Sequence, residues 1–226
     1  GNRFALEAHG AADRAAGLCD AAAQIARRAA GEAAKVFGSI GPTGKVVMMG
    51  EVGRDELSAA FAESAAALAR GGVDAIVLET FNELAELQLA LAAVREATDL
   101  PVICSMTFSA GPDKTRTMMG ESPADLAAAA DAGGAAGVGA NCGVGPDTYV
   151  TVAGMLREAT DLPIWIKPNA GMPQVRDGET VFPMGPDEFA AHAPRILDAG
   201  ASFLGGCCGT TPEHIRALRA AVDGLG

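Results

Sequence analysis

Short β-prone runs alternate with Ala- and Leu-rich helical segments along the whole chain, and this alternation leaves few possible fold classes. Helical patterns fill the opening segment and then follow each β-prone run. Repeats of strand and then helix build parallel sheets that are covered by helices. The sequence therefore predicts an α/β protein. The predicted strands are 35–40, 75–78, 102–108, 136–140, 163–167 and 202–204, and the predicted helices include 55–70, 82–97, 146–159, 187–198 and 212–222.

The number of predicted strands bears on the architecture. A closed (β/α)₈ barrel needs eight strands, and this chain offers six after an opening helix that no strand precedes. We therefore expect a TIM barrel that lacks its first two strands in this chain, forming one N-terminally incomplete domain over residues 1–226. An open doubly wound sheet is the alternative, but no glycine-rich phosphate turn follows its first strand.

Charge and cysteine usage restrict the partners and the compartment. Lys and Arg number 17 against 28 Asp and Glu, so the formal charge is −11. Such a surface repels phosphate backbones and anionic lipids, which argues against nucleic acid and membrane partners. No apolar run approaches the ~18 residues of a membrane span. Five cysteines, two of them adjacent, suit a disulfide framework poorly. We predict a cytoplasmic protein that acts on small molecules.

Three of the cysteines follow predicted strands within glycine-containing loops. Cys142 comes after the strand at 136–140, and Cys207 and Cys208 come after the strand at 202–204. The carboxyl ends of barrel strands share the face on which active sites form. Three thiolates delivered to one place suit zinc, which favours sulfur in tetrahedral geometry. The residues thus predict a zinc site.

The cysteines also admit interpretations other than a zinc site. A free cysteine is often a small buried hydrophobic residue, and this is our prediction for Cys19 in the first helix and Cys104 in a strand. A disulfide between the adjacent Cys207 and Cys208 is possible but would be strained. Three cysteines at neighbouring strand ends favour the metal instead.

The chain carries five motifs in a fixed order: Ser39–Gly44, Glu79–Phe81, Gly139–Cys142, Pro168–Gly171 and Gly205–His214. Together these motifs resemble the homocysteine-binding domain of the homocysteine S-methyltransferase family. The likeness extends over essentially the whole chain, and the paired cysteines combined with Asn-Cys make it specific. Within the family, the motifs look most like those of cobalamin-dependent methionine synthase, and next like those of bacterial betaine–homocysteine methyltransferases.

The resemblance implies a TIM barrel and a role for particular residues. Cys142, Cys207 and Cys208 would bind Zn²⁺, and Asn169 would supply an oxygen to the fourth position until substrate displaces it. Glu79 would receive the amino group of homocysteine. Thr80 and Ser39 are implied to contact the substrate as well. From the residues alone, Asn169 could equally cap a turn and Glu79 could complement a helix N-terminus.

The implied reaction is methyl transfer to homocysteine, which gives methionine. A free thiol is mostly protonated at neutral pH, and binding to zinc converts it to the nucleophilic thiolate. The methyl donor stays open between methylcobalamin on another domain or corrinoid protein, betaine and S-methylmethionine. One Trp and one Tyr make a poor aromatic cage for betaine. The family's early Asp-Gly and Asn-Thr-Phe motifs are absent, which leaves the activity of this chain alone in question.

Three alternatives remain at the level of sequence. The loop at 205–212 could bind phosphate at a helix N-terminus in a TIM-barrel enzyme of another class. The zinc could be purely structural. The acceptor could be a thiol other than homocysteine.

Overall fold

The structure is a computed structural model that describes residues 1–225, apart from the side chain of Met48. These residues form two compact units. The first comprises Gly1–Cys104 with Ala132–Ala136, and the second comprises Ser105–Asp131 with the chain from Gly137 onward. Gly226, the last residue of the predicted domain, lies outside the described residues.

The elements alternate as the sequence predicts. The helices are α1 (Arg3–Glu7), α2 (Ala15–Ala30), α3 (Arg54–Arg70), α4 (Leu84–Ala97), α5 (Pro123–Gly133), α6 (Pro146–Ala159), α7 (Pro186–Ala190), α8 (Ala193–Asp198) and α9 (Pro212–Asp223). The strands are β1 (Phe37–Ile40), β2 (Ala75–Phe81), β3 (Val102–Met106), β4 (Gly137–Cys142), β5 (Ile164–Pro168), β6 (Gln174–Arg176), β7 (Glu179–Val181) and β8 (Phe203–Leu204). Short 3-10 helices cover Ala12–Arg14 and Val47–Met49.

In the first unit the strand order is β1-β2-β3, with β1 parallel to β2. Strand β2 begins with four consecutive buried residues. Such a run is expected of a strand that lies between two others and is covered on both faces. Helices α3 and α4 bury Leu57, Phe61 and Leu87 almost completely. The rings of Phe61 and Phe81 lie 6.0 Å apart, which ties α3 to the end of β2.

Buried polar side chains hold the loop after β1 in the first unit. Asn2 donates from its amide to the carbonyls of Gly41 and Pro42. Glu86 accepts from both the backbone N–H and the hydroxyl of Thr43, at 2.7 and 2.5 Å. Burial nevertheless raises the pKa of Glu86. The loop that follows Ser39 is therefore fixed by its own unit.

In the second unit the strand order is β3-β4-β5-β8, where β3 is divided between the units after Cys104. Strand β5 is parallel to both β4 and β8. Gly139 pairs with Trp165, and a Cβ built on Gly139 would stand 2.0 Å from the carbonyl oxygen of Trp165. Glycine at this position therefore allows β4 and β5 to approach closely. The core beneath these strands includes the fully buried Leu126, Tyr149 and Leu156.

The six predicted strands of the main sheet are confirmed, each within a few residues. Two helix predictions were wrong. The opening helix is broken into α1, a 3-10 turn and α2, with Gly10 at a left-handed φ of 61° between them. The helix predicted at 187–198 is two helices, because Pro194 stands in the first turn of α8 and lacks the N–H that a continuous helix needs.

The hairpin of β6 and β7 was not predicted. Its two-residue turn, Asp177-Gly178, has positive φ at both positions, which is the geometry of a tight antiparallel hairpin. The strands are only three residues long and largely exposed, so they carry no apolar periodicity. Among the described residues, no helix is long and apolar enough to cross a membrane.

Candidate metal centre

Cys142, Cys207 and Cys208 come together in the second unit at the carboxyl ends of β4 and β8. Their Sγ atoms all lie within 4.8 Å of one another. The Sγ atom of Cys208 is 3.8 Å from that of Cys142 and 4.0 Å from that of Cys207. The structure thus brings together the three cysteines that the sequence singled out.

These separations fit one tetrahedral zinc ion. Sulfurs about 2.3 Å from such an ion lie about 3.8 Å from each other. A disulfide would require about 2.05 Å, and all five cysteines of the chain are free. Cys142 and Cys207 are half-buried whereas Cys208 is exposed, so the cluster is open on one side. Among the described residues, these three cysteines form a group able to share a metal ion.

Cys142, the last residue of β4, has an unusual backbone conformation. Cys142 has a φ of 66°, in the left-handed region that non-glycine residues rarely adopt. Such strain persists only where surrounding structure enforces it, and it concentrates at functional sites.

Asn169, at the end of β5, joins the two cysteine loops. Its Oδ1 accepts from the backbone N–H of Cys208 at 3.1 Å, and its Nδ2 donates to the carbonyl of Gly143 at 3.2 Å. Asn169 is 2% exposed, so these bonds are shielded from water. The side chain lies between the cysteine strands, as the order of the motifs predicted.

The loop carrying the paired cysteines is bonded to the end of β5. The N–H of Cys207 donates to the carbonyl of Pro168, and the carbonyl of Cys208 accepts from the N–H of Ala170, both at 2.9 Å. Gly209 has a φ of 79°, and a Cβ there would meet the side chain of Phe182 at 2.3 Å. Glycine at this position therefore allows the loop to pack against Phe182, which follows the hairpin of β6 and β7.

The three thiols cannot all ionise easily without a cation. A hydrogen bond from Cys207 lowers the pKa of Cys142 to about 7. The same interaction raises the pKa of Cys207, and burial adds to that increase. Burial and the neighbouring Cys207 also raise the pKa of Cys208. One thiolate is therefore accessible at neutral pH, and full deprotonation requires a positive charge such as a metal ion.

Sequence reasoning missed a buried polar group behind the cysteines. Asn141 is fully buried, accepts from the hydroxyl of Ser105 at 2.8 Å, and points its amide nitrogen at the Sγ of Cys207, 3.8 Å away. The hydroxyl of Tyr149 donates to the backbone carbonyl of Asn141 at 2.9 Å. A polar residue inside an otherwise apolar strand, directly before a cysteine, is the signal that could have revealed it.

The predicted substrate residues lie in the first unit. The exposed hydroxyl of Ser39, on β1, donates to Glu79 on β2 at 2.7 Å. Thr80 has a φ of 70°, which is a strained conformation for a β-branched residue. Ser39 and Glu79 are thus brought together, next to a backbone outlier at Thr80.

The remaining predicted features have simpler roles. Cys19 and Cys104 are buried, at 7% and 1% exposed, as expected of core residues. At the start of α9, the side chains of Thr211 and His214 form a capping box with each other's backbone N–H groups. That cap already uses donors that a phosphate at the 205–212 loop would need.

The crystal structure of the metallated form of the homocysteine methyltransferase MmuM from Escherichia coli superposes with a TM-score of 0.77 at 22% identity, covering 97% of this chain and 75% of that chain. At this identity the likeness shows the fold alone.

Sequence relatives are more similar. The methionine synthase of Mycobacterium leprae is 34% identical over 224 residues, which are 93% of this chain and 18% of that protein. The methionine synthase of Mycobacterium tuberculosis is 34% identical over 227 residues, 95% of this chain and 19% of that protein. The chain thus spans less than a fifth of the length of these relatives. Residues 1–222 match the family described as homocysteine S-methyltransferase, and the chain belongs to that family.

Proposed function

We propose that this chain catalyses methyl transfer to the thiol of homocysteine, giving methionine, with a zinc ion held by Cys142, Cys207 and Cys208. The observation that carries the proposal is the spacing of the three Sγ atoms, within 4.8 Å of one another and open on one side. Membership of the homocysteine S-methyltransferase family supports the substrate. Structural zinc sites are closed, whereas sites that exchange a ligand keep one position open. The partly open cysteine cluster fits the second kind of site.

The residues of the chain have distinct tasks in this proposal. When bound, the zinc supplies a Lewis acid that keeps the homocysteine sulfur in its thiolate form at neutral pH. The three cysteine thiolates contribute an electron-rich donor set. The exposure of Cys208 leaves room for a substrate sulfur on the open side. The chain would need no general base, because the proton of the substrate thiol would pass to solvent when the thiol bound a metal held by the three cysteines.

Asn169 has two compatible roles. Its amide already holds the loops of Gly143 and Cys208. A carbonyl oxygen has two lone pairs, so Oδ1 can accept from Cys208 and still face a fourth position on the metal. In this proposal Oδ1 of Asn169 would be the oxygen ligand of the substrate-free site.

The amino-acid end of homocysteine is assigned by the motif resemblance. We propose that Glu79 receives the amino group of homocysteine. Ser39 orients the carboxylate of Glu79 through its 2.7 Å hydrogen bond. Thr80 is proposed to contact the substrate too, and its positive φ is the strain that binding sites often retain.

The methyl donor is proposed to be methylcobalamin carried by another domain or protein. The relatives named methionine synthase extend far beyond the region that this chain matches, which leaves room for such a domain. Betaine has less support. Tyr149 is fully buried, and Trp165 already contacts the ring of Phe203 at 5.4 Å and the ammonium of Lys167 at 5.6 Å. S-methylmethionine stays an alternative donor.

The proposed architecture is a TIM barrel of which this chain forms the larger part. The superposition covers nearly all of this chain but three quarters of the MmuM chain, which supports that proposal. Free thiolates in a metal site also need a reducing environment, so we propose a cytoplasmic location.

The decisive experiment follows the homocysteine sulfur. The full chain is loaded with one zinc, and X-ray absorption at the zinc edge is recorded before and after homocysteine is added. We expect one additional sulfur in the zinc shell. A zinc shell that does not change would favour a structural metal and overturn the proposal. Turnover with methylcobalamin, betaine and S-methylmethionine, each offered with homocysteine and with other thiols, then identifies the donor and acceptor.

A further inference from the structure

We propose that Asn141 is a positioning residue that donates an N–H···S hydrogen bond to Cys207 and thereby sets the electron density of that sulfur in the metal centre. The inference rests on the proposed function, because it assigns a task to a residue outside the cysteine cluster. Three independent contacts of Asn141 carry it.

The first contact fixes which end of the amide faces the sulfur. The hydroxyl of Ser105, on β3, donates to Oδ1 of Asn141 at 2.8 Å, and both side chains are fully buried. An amide flipped by 180° would turn Oδ1 toward the sulfur, so that two acceptors faced each other, and the hydroxyl would have to turn and accept from the NH₂ group instead. The two contacts together therefore favour the orientation in which the NH₂ group points toward the sulfur.

The second contact is the one with the sulfur. The Nδ2 atom of Asn141 lies 3.8 Å from the Sγ of Cys207. A thiolate is a large, diffuse acceptor, so such a donor withdraws some of its negative charge. Cys207 is the member of the cluster that receives this donor, which makes it distinct from the exposed Cys208.

The third contact fixes the backbone from which the amide projects. Tyr149, fully buried on α6, donates its hydroxyl to the carbonyl of Asn141 at 2.9 Å. Cys142, the next residue, adopts its left-handed conformation directly after this anchor. The backbone and the side chain of Asn141 are thus held separately, and a freely rotating amide is excluded. Residues that orient metal ligands in this way typically change metal affinity when they are replaced.

The test removes the donor without leaving a buried polar group alone. In the double variant Asn141→Leu with Ser105→Ala, both members of the Ser105–Asn141 hydrogen bond become apolar. Leucine has the branching and the number of side-chain heavy atoms of asparagine, and the smaller alanine at position 105 leaves space for its bulkier methyl groups. Such paired replacement has little effect on folding stability in general. Ser105→Ala alone is the milder variant, since it loosens the amide but leaves it present. Ser64→Ala is the matched control, because Ser64 is a buried serine that bonds to its own helix at Ala60.

Two readouts that do not depend on turnover are used on the full chain. Zinc affinity is measured by competition with a chromophoric chelator, and we expect about a 10- to 100-fold loss in the double variant. The sulfur-to-metal charge-transfer band is measured after Co²⁺ is substituted for zinc. Removing an N–H···S bond raises the energy of the sulfur lone pairs, so the band moves to longer wavelength. Ser105→Ala moves it less in the same direction, and Ser64→Ala leaves it unchanged.

The outcomes distinguish this inference from the proposed function. If the wild-type chain binds neither zinc nor Co²⁺, the metal centre itself is refuted. If the wild-type chain binds the metal but the double variant has the same affinity and the same band, the role of Asn141 is overturned and the metal centre stands. If the double variant does not fold, Ser105→Ala decides, because an unshifted band there contradicts the proposal and a shift to longer wavelength supports it.

Discussion

Asn169 accepts a hydrogen bond from the backbone N–H of Cys208, 3.1 Å away, from a position where it is 2% exposed. Since its other amide atom donates to Gly143, one side chain fixes the spacing between the two loops that carry the cysteines. The metal centre therefore depends on an uncharged residue as well as on its thiols.

Replacing Asn169 with alanine should weaken both the fold and the metal site. We expect the free energy of unfolding to fall by about 1–3 kcal/mol, because the Cys208 N–H and the Gly143 carbonyl lose buried partners. Zinc affinity should fall as the loops separate. Urea unfolding and chelator competition measure the two effects. Asn82→Ala is the control, because the amide of Asn82 bonds to the carbonyl of Thr80 in the first unit and should leave zinc affinity unchanged. Unchanged zinc affinity in Asn169→Ala would refute the bridging role. If Asn169 also supplies an oxygen to the metal, the ligand-field bands of the Co²⁺ form shift at saturating metal.

Replacing Cys207 with alanine should abolish tight zinc binding, because only two of three thiolates remain. Cys104→Ala is the matched control, since Cys104 is a buried thiol on β3 outside the cluster. Zinc content after dialysis against a weak chelator should be about one per chain in the wild type and the control, and close to none in Cys207→Ala. Equal zinc content in all three proteins would contradict the proposal that Cys207 is a zinc ligand.

Replacing Glu79 with glutamine should weaken homocysteine binding and leave the metal in place. The loss of a charged hydrogen bond of about 1.5–3 kcal/mol corresponds to about a 10- to 150-fold rise in KM for homocysteine. Steady-state kinetics, measured on a form of the protein that is active, report homocysteine binding. Zinc content reports whether the metal stays in place. The exposed Glu51→Gln serves as control. A KM that does not change would remove Glu79 from the substrate site.

Replacing Gly139 with alanine should destabilise the second unit. The new Cβ would stand 2.0 Å from the Trp165 carbonyl, so the backbones of β4 and β5 must separate, at a cost of about 1–3 kcal/mol or more. Gly154→Ala is the control, and we expect it to change the free energy of unfolding in the opposite direction. Nothing lies within 4 Å of its Cβ in the middle of α6, so alanine should stabilise the helix by about 0.5–1 kcal/mol. Thermal or urea unfolding measures both, and equal stabilities would contradict the close approach.

The stability of the first unit should depend on pH through Asp74. The N–H of Val36, followed by Arg27, holds the pKa of the Asp74 carboxyl well below its usual range. A depressed pKa in the folded state gives stability that is present above the unfolded pKa of about 3.9 and is lost as pH falls below it. Asp74→Asn should therefore be less stable than the wild type at pH 7, and the difference should shrink below about pH 4. Urea midpoints measured from pH 7 to pH 3 give the comparison. A stability difference that stays constant from pH 7 to pH 3 would contradict this role of Asp74.

The sequence by itself determined the strand order along the chain, the α/β class and the three cysteines. These features are local: apolar runs form buried strands, and cysteines in glycine loops directly after strands reach the same edge of a parallel sheet. The hairpin at Gln174–Val181 and the breaks near Gly10 and Pro194 were missed, because short exposed strands and single helix interruptions leave little periodic signal.

Only the tertiary structure decided how the cysteines are held. The bonds of Asn169 to Gly143 and Cys208 span 26 and 39 residues of chain, and the contact of Asn141 with Cys207 spans 66. No periodicity or local motif specifies a hydrogen bond between residues so distant in sequence, because it exists only once the strands are packed in register. The sequence names the thiols, and the packed strands fix the distances and orientations that make them a metal site.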